Sequence, residues 1–290
     1  MQTYDQYIVA NRVFQVNGTE LTQAIRNMPG FDSFLVKGNT STPCFQITYT
    51  EVTQTPTVKA LQYEFGSEGV SSTFSSTEEG YLLHMTHDDG SQLKLWTISA
   101  HHIVYITGCL MPQMLRFALW MAYGIMNVVT GRIPIHGSCI VNSKRAYLFL
   151  GESGTGKSTH TRLWREYIDG STLLNDDSPI IATEADGVWI YGSPWSGKTP
   201  CYKQEKYRLC GCVRLSQAPF NDIKRLSILH AYAALHPSCP PELAYDSILY
   251  EGISESLNLI LKEVPIFHLA CLPNEDAARL SYETLSKNGN

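Results

Sequence analysis

Residues Gly151-Glu152-Ser153-Gly154-Thr155-Gly156-Lys157-Ser158 match the pattern G-x-x-x-x-G-K-[ST] at every fixed position, a spacing that serves to bind a nucleoside triphosphate. A triphosphate packs much negative charge into a small volume, so its site needs many donors aimed at one point with no side chains in the way. Gly154 and Gly156 allow backbone conformations closed to residues with a Cβ, and successive N–H groups can then converge on one phosphate. Lys157 is placed to reach the β- and γ-phosphates, and the Ser158 hydroxyl to ligate Mg²⁺. With Thr159, the run 151–159 is the expected contact surface for ATP.

Such a loop works only where a strand enters and a helix leaves. Residues 146–150 form a short apolar run of strand type, and residues 158–167 carry Leu163, Trp164 and Tyr167 on one helical face. The start of that helix adds its positive dipole end to the phosphate site. After it come a short apolar strand at 173–174 and Asn175-Asp176-Asp177. Acids at a strand end beside a phosphate loop suit phosphoryl chemistry: Mg²⁺ takes hard oxygen ligands, and a hydroxyl acceptor needs a carboxylate to orient it. A hairpin at 180–183 and 188–191 delivers a second small-residue loop at 192–198, in which Lys198 is a candidate phosphate contact.

The rest of the chain must position these groups. Residues 1–108 read as a β-rich domain, an antiparallel sheet with strands at 31–36, 44–51, 61–65, 81–86, 93–98 and 103–107 and a helical segment near 22–28. Turns are expected at 38–39, 66–67 and 88–90. His84, His87, Asp88 and Asp89 cluster in sequence, but they read as strand and hairpin-turn residues rather than as a metal site. A helix at 111–128 links this domain to a nucleotide-binding one at 131–290, where 133–141 and 209–215 are strands, 222–235 and 242–261 amphipathic helices, 265–272 a late strand, and Asn274 the cap of a closing helix. Lys203, Lys206, Arg208 and Arg214 read as solvated.

Composition bounds the function classes. The chain has 290 residues, 43% hydrophobic and 17% charged, which fits one or two globular domains. A net charge of -5 gives no general attraction to nucleic acid or anionic lipid. The eight cysteines form no C-x-x-C unit and read as reduced, mostly buried thiols. The N-terminus lacks a basic segment followed by an apolar run, and the apolar stretch 110–129 is interrupted by Arg116 and Asn127, so a cytoplasmic protein with no membrane partner is expected.

Taken together, the second half resembles the HPr kinase/phosphorylase and phosphoenolpyruvate carboxykinase group of P-loop proteins. The resemblance covers residues 131–273 and rests on three features. His136-Gly137 stands fifteen residues before Gly151; the loop is similar to the narrower Gly-x-Ser-Gly-x-Gly-Lys-[Ser/Thr] version; and Asn175-Asp176-Asp177 resembles the acid pair after the loop helix. The resemblance implies an α/β P-loop core with a mixed sheet and ATP-dependent phosphorylation of a hydroxyl, of the serine type, free or within a peptide or protein. It implies that Asp176 or Asp177 activates that hydroxyl while the other lies near Mg²⁺, which pairs Ser158 with Asp177 at the metal if Asp176 is the base. It also places His136 close to the transferred phosphoryl group, and relatives in the group often form homo-oligomers. One stretch departs from the group: where HPr kinases carry Glu-Ile-Arg-Gly, this chain has Trp189-Ile190-Tyr191-Gly192. Two other readings follow, a nucleotide-responsive binding module without efficient transfer and a carboxykinase-like enzyme.

Overall fold

The computed structural model describes residues 4–38, 41–197 and 199–287. The chain divides into two compact units, residues 1–129 with 242–250, and residues 130–241 with 251–290.

The first unit is an eight-stranded sheet with two main helices. Its strands are β1 (Tyr4–Val9), β2 (Arg12–Asn17), β3 (Phe45–Tyr49), β4 (Val58–Ser67), β5 (Val70–Thr77), β6 (Tyr81–His87), β7 (Gln92–Ile98) and β8 (Ile103–Gly108), in the order β1-β2-β3-β8-β7-β6-β5-β4. Helix α1 (Thr19–Arg26) lies between β2 and β3, and α2 (Pro112–Asn127) follows β8. The sheet is mixed rather than antiparallel, because β3 runs parallel to both β2 and β8. Parallel neighbours need a crossover, which α1 and its flanking turns supply on one side and the excursion through β4–β7 on the other. Residues 31–36, expected as a strand, instead hold a single 3₁₀ turn at Asp32–Phe34 whose aromatic residues Phe31 and Phe34 are buried. Apolar content fitted both readings, and burial from a turn won. The expected turn at 66–67 lies one step later, since β4 runs through Ser67 and Glu68 and Gly69 take positive φ. Asn39 lies outside the described residues.

In the second unit the strands are β9 (Arg132–Pro134), β10 (Gly137–Asn142), β11 (Arg145–Leu150), β12 (Thr172–Asp177), β13 (Ile180–Glu184), β14 (Gly187–Tyr191), β15 (Lys206–Gln217), β16 (Asp222–Arg225) and β17 (Ile266–Cys271). They form one mixed sheet ordered β12-β10-β11-β15-β14-β13-β9, with β17 also pairing β15 and β16 pairing β17. Its helices are α3 (Lys157–Tyr167), α4 (Ile228–Leu235) and α7 (Glu275–Lys287), whereas of α5 (Pro241–Ala244) and α6 (Ser247–Glu263) the residues 242–250 belong to the first unit. The expected strand at 133–141 is two strands, split at Ile135 and His136, and the two pair with different partners. The expected helix at 222–235 begins as strand β16, whose residues pair with β17 before α4 starts. Of the eight cysteines three are buried, four half-buried and Cys109 exposed, and all are free thiols. No helix among the described residues is long and apolar enough to cross a membrane.

What fixes the position of α3 is a core cluster of Tyr147, Phe149, Leu163, Trp164, Val213, Leu215, Phe267 and Leu269. Trp164 is wholly buried, and its indole N–H donates to Ser281 Oγ on α7 at 2.8 Å. The Ser138 hydroxyl on β10 donates to Thr161 Oγ1 at 3.0 Å, pinning the same helix to the sheet. Trp164→Ala removes the largest side chain of this cluster and leaves a cavity, so it should destabilise the second unit by about 3–5 kcal/mol. A urea titration reads this as an earlier transition of that unit, and an unchanged midpoint would show that α3 is held by other means.

Candidate functional site

Strand β11 is apolar, with five of its six residues buried, and is held on both sides by β10 and β15. Its chain leaves the sheet at Gly151 and enters α3 at Lys157, passing through Gly151, Gly154 and Gly156 at φ of 151°, 83° and 104°. At Gly154 and Gly156 a Cβ would meet no atom within 4 Å, so the demand for glycine there comes from backbone conformation alone. At Gly151 a Cβ would also strike Thr155 Oγ1. The loop braces itself with a hydrogen bond from Thr155 Oγ1 to the Glu152 carbonyl at 2.8 Å.

The side chains converge in two pairs. Lys157 is buried, and its ammonium donates to the carbonyls of Gly151 at 2.8 Å and Glu152 at 3.1 Å. The adjacent Ser158 hydroxyl donates to Asp176 Oδ1 at 3.0 Å. On the neighbouring strand end, His136 Nε2 lies 3.8 Å from Asp177 Oδ1. Register explains the juxtaposition: β10 and β12 are antiparallel, and Gly137 and Ser138 stand opposite Asp177 and Asp176. The acids are therefore the last residues of β12 rather than a turn after it. Ser158 thus meets Asp176, while Asp177 faces His136.

Asp177 has φ of 136°, a conformation that favours glycine. A non-glycine residue held there costs about 1–3 kcal/mol, and such residues gather at functional sites. The loop at 192–197 holds it in place. Asn175 Nδ2 donates to Ser193 Oγ and to the Trp195 carbonyl at 3.2 and 3.1 Å, and Gly197 N–H donates to the Asp176 carbonyl at 2.7 Å. A Cβ on Gly197 would come within 3.1 Å of Asp177 Cβ, so this second loop packs directly on the acid pair. Lys198 lies outside the described residues.

The Asp177 side chain is about half exposed, and its partial desolvation in the mouth of the site pushes the carboxyl above the usual carboxylate range, with Asp176 adding to the shift and His136 and Lys157 opposing it. Partial desolvation of the half-exposed His136 lowers its ring in turn, helped by the Lys157 charge and opposed by Asp177 and Asp176. Lys157 is itself lowered, chiefly by burial. Desolvation therefore favours the uncharged form of both groups, while the attraction between them opposes it.

Two groups escaped sequence reading. Arg214, expected in solvent, lies beside the loop on β15, with a guanidinium nitrogen 3.7 Å from Glu152 Oε1 and another donating to the Ala234 carbonyl. Gln217 Nε2 donates to the Gly154 carbonyl at 3.2 Å. Both follow from β15 running parallel to the loop strand, a pairing that no local pattern announces. Among the described residues no cluster of three or more His, Cys, Asp or Glu could hold a metal ion. Ser158 Oγ and Asp176 Oδ1 do offer two hard oxygens at 3.0 Å, close to the ~2.9 Å edge of an octahedron with Mg–O distances of about 2.0–2.1 Å.

No family model matches the sequence, and no curated protein matches it. Among solved structures the chain is similar to the Hpr(Ser) kinase/phosphatase from Coxiella burnetii, at 15% identity and a TM-score of 0.32, over 53% of this chain and 88% of that one. That is a remote likeness, and it carries no weight on function.

The electrostatics give a direct check by NMR. The His136 ring should titrate below 6.5, its assignment made with His136→Gln. Asp177→Asn should lower the midpoint further by removing the charge that favours imidazolium, and Lys157→Gln should raise it. A midpoint that ignored both substitutions would mean that the three groups do not share a site.

Proposed function

We propose that the second unit binds a nucleoside triphosphate, ATP, with Mg²⁺ and transfers its terminal phosphoryl group to a hydroxyl acceptor of the serine type. One observation carries the reading: Lys157, the Ser158–Asp176 pair and the Asp177–His136 pair gather at the open end of β11, where the glycine loop turns.

In this reading the backbone N–H groups of Gly151, Glu152, Ser153, Gly154 and Gly156 cradle the phosphates, Thr155 shapes the loop through its own N–H to the Glu152 carbonyl at 3.2 Å, and Thr159 contacts the phosphate nearest the nucleoside. Lys157 gives up its two loop carbonyls for phosphate oxygens. Ser158 and Asp176 are the metal-side residues, and Mg²⁺ bound there would neutralise charge on the β- and γ-phosphates. Asp177 is the acceptor-side acid. It orients the hydroxyl and takes its proton as the acceptor oxygen bonds to the γ-phosphorus and the bond from that phosphorus to the departing diphosphate breaks. Because the transition state is largely dissociative, Asp177 acts mainly through orientation. Its raised proton affinity suits it to the proton as well. Neutral His136, next to it, can donate a hydrogen bond to the transferring group.

A binding module without efficient transfer is the second reading, and β14 is its support. Trp189 lies under the Lys206 ammonium at 4.3 Å and the Tyr191 hydroxyl donates to Glu184 at 2.6 Å, so these side chains serve local packing. ATP consumption in the presence of serine or serine-containing peptides separates the two readings, since a binding module consumes none.

Lys157→Ala should weaken Mg·ATP binding at least tenfold and lower turnover with it. Asp177→Asn should lower turnover about 10²-fold or more, in the range for positioned acids and bases, with nucleotide affinity within about threefold of the parent. Calorimetric titration and ATP turnover read the two effects, and undiminished ATP binding by Lys157→Ala would remove the assignment.

A further inference from the structure

The two edges of the first sheet are finished differently. At β1 the outer edge is covered: Leu35 bridges Tyr7, and the Val36 N–H donates to the Gln6 carbonyl at 2.8 Å. At the other end of the sheet β4 pairs, among the described residues, with β5 only. An edge strand turns N–H and C=O groups away from its sheet, and these accept a further strand unless the edge is blunted. In β4, register shifts between Val58 and Ala60 and between Leu61 and Tyr63 blunt the first half. From Tyr63 to Ser67 the pairing with β5 is regular, residue against residue, and that stretch is left as an open edge.

The two faces of this stretch are unlike. Glu64, exposed, stands opposite Thr73 on one of them. Tyr63 and Phe65 stand on the other, within a run of five rings: Tyr245, Tyr63, Phe65, Phe117 and Trp120, with successive centroids 4.6, 5.5, 5.5 and 5.5 Å apart. All five belong to the first unit. Four are half-buried and Tyr245 is 58% exposed, so the run presents ring surface beside the open edge. The segment that carries Tyr245 is fixed in place. Asp246 accepts from the Tyr81 hydroxyl at 2.8 Å and from the Ile248 and Leu249 N–H groups at 3.0 and 3.1 Å. A surface already ordered in this way loses little entropy when it is covered.

We propose that β4 binds an extended polypeptide segment, added as a further strand along Tyr63–Ser67, with apolar side chains on the ring run and a basic side chain opposite Glu64. On the reading that the second unit phosphorylates a serine, this segment belongs to the acceptor, which is then a peptide or protein rather than free serine. Three observations define the occupant. A row of open backbone groups is matched by another backbone. The alternation of Tyr63, Glu64 and Phe65 calls for apolar, basic and apolar residues in turn on the added strand, since cross-strand neighbours share a face. A second copy of this chain fits badly: the antiparallel register that lays Tyr63 on Phe65 sets Glu64 directly against its own copy, and like charges so placed destabilise a sheet. Because both units are parts of one chain, a segment held on the first keeps its serine at raised concentration for the second.

Fluorescence anisotropy on the full chain without nucleotide tests this, with a labelled dodecapeptide that contains one serine and the run Phe-Lys-Phe. The parent should bind it about tenfold more tightly than the same peptide with both Phe replaced by Ser. A version N-methylated along the run keeps the side chains but loses backbone donors, and it should also bind about tenfold more weakly. Glu64→Lys, at an exposed position, should weaken the Phe-Lys-Phe peptide and favour a Phe-Glu-Phe peptide, each by about threefold or more. Tyr245→Ala should weaken both peptides. No binding of the Phe-Lys-Phe peptide, indifference to N-methylation or to Glu64→Lys, or a dimer in sedimentation that Tyr245→Ala dissociates would overturn the proposal. Addition of Mg·ATP to the bound peptide separates it from the transfer reading. Binding without phosphorylation of the serine would remove the acceptor role while the open edge stood as a peptide site. Phosphorylation of all the peptides alike, with no dependence on Glu64, would overturn the edge and leave transfer standing.

Discussion

A dense negative charge can be held at the end of a buried strand only if the chain there exposes its own amide hydrogens and keeps side chains away. The backbone around residues 151–156 has features that fit that constraint. Strand β11 is fixed by neighbours on both sides, the loop passes through three glycines at positive φ, and α3 is anchored by Trp164, His160 and Thr161 to α7 and β10. Lys157 shows how tightly the site is drawn. Its ammonium is taken largely out of water, which is costly unless the charge is satisfied, and two carbonyls of its own loop accept from it. On the proposed reading, a phosphate would offer the same ammonium a formal negative charge in place of two neutral carbonyls.

The different surroundings of the two acids come from strand register. Because Ser138 stands opposite Asp176 and Gly137 opposite Asp177, two neighbouring carboxylates face different partners. Asp176 is buried against the Ser158 hydroxyl, while Asp177 lies in the mouth with His136, their side chains 51% and 46% exposed. The uncommon backbone at Asp177 and the close approach of Gly197 indicate that the position is held by its surroundings against local preference. A residue kept in such a conformation is consistent with a demand made by chemistry rather than by folding.

How much of this was legible in the sequence depended on whether the information was local. The glycine loop, the apolar strand before it, the α3 stripe of Leu163 and Trp164 and the Asn274 cap are short-range patterns, and each lies where the spacing put it. The pairing of Ser158 with Asp176 could not be read, since two adjacent acids look alike until the β10–β12 register is known. Arg214 was hidden for a similar reason: its place by the loop follows from the parallel pairing of β11 with β15, more than fifty residues later in the chain. The parallel position of β3 between β2 and β8 and the strand at β16 were missed because residue type alone separates neither parallel from antiparallel pairing nor a short strand from the start of a helix.

The central claim is that the terminal phosphoryl group and its metal lie among Lys157, Asp176, Asp177 and His136. Paramagnetic broadening measures this most directly, with Mn²⁺ in place of Mg²⁺ and ATP at saturation, following the ring protons of His136 by NMR. The account predicts severe broadening of the His136 resonance that requires ATP and is lost on adding excess Mg²⁺. A His136 resonance that stays sharp with Mn·ATP bound would place the phosphates elsewhere and contradict the account.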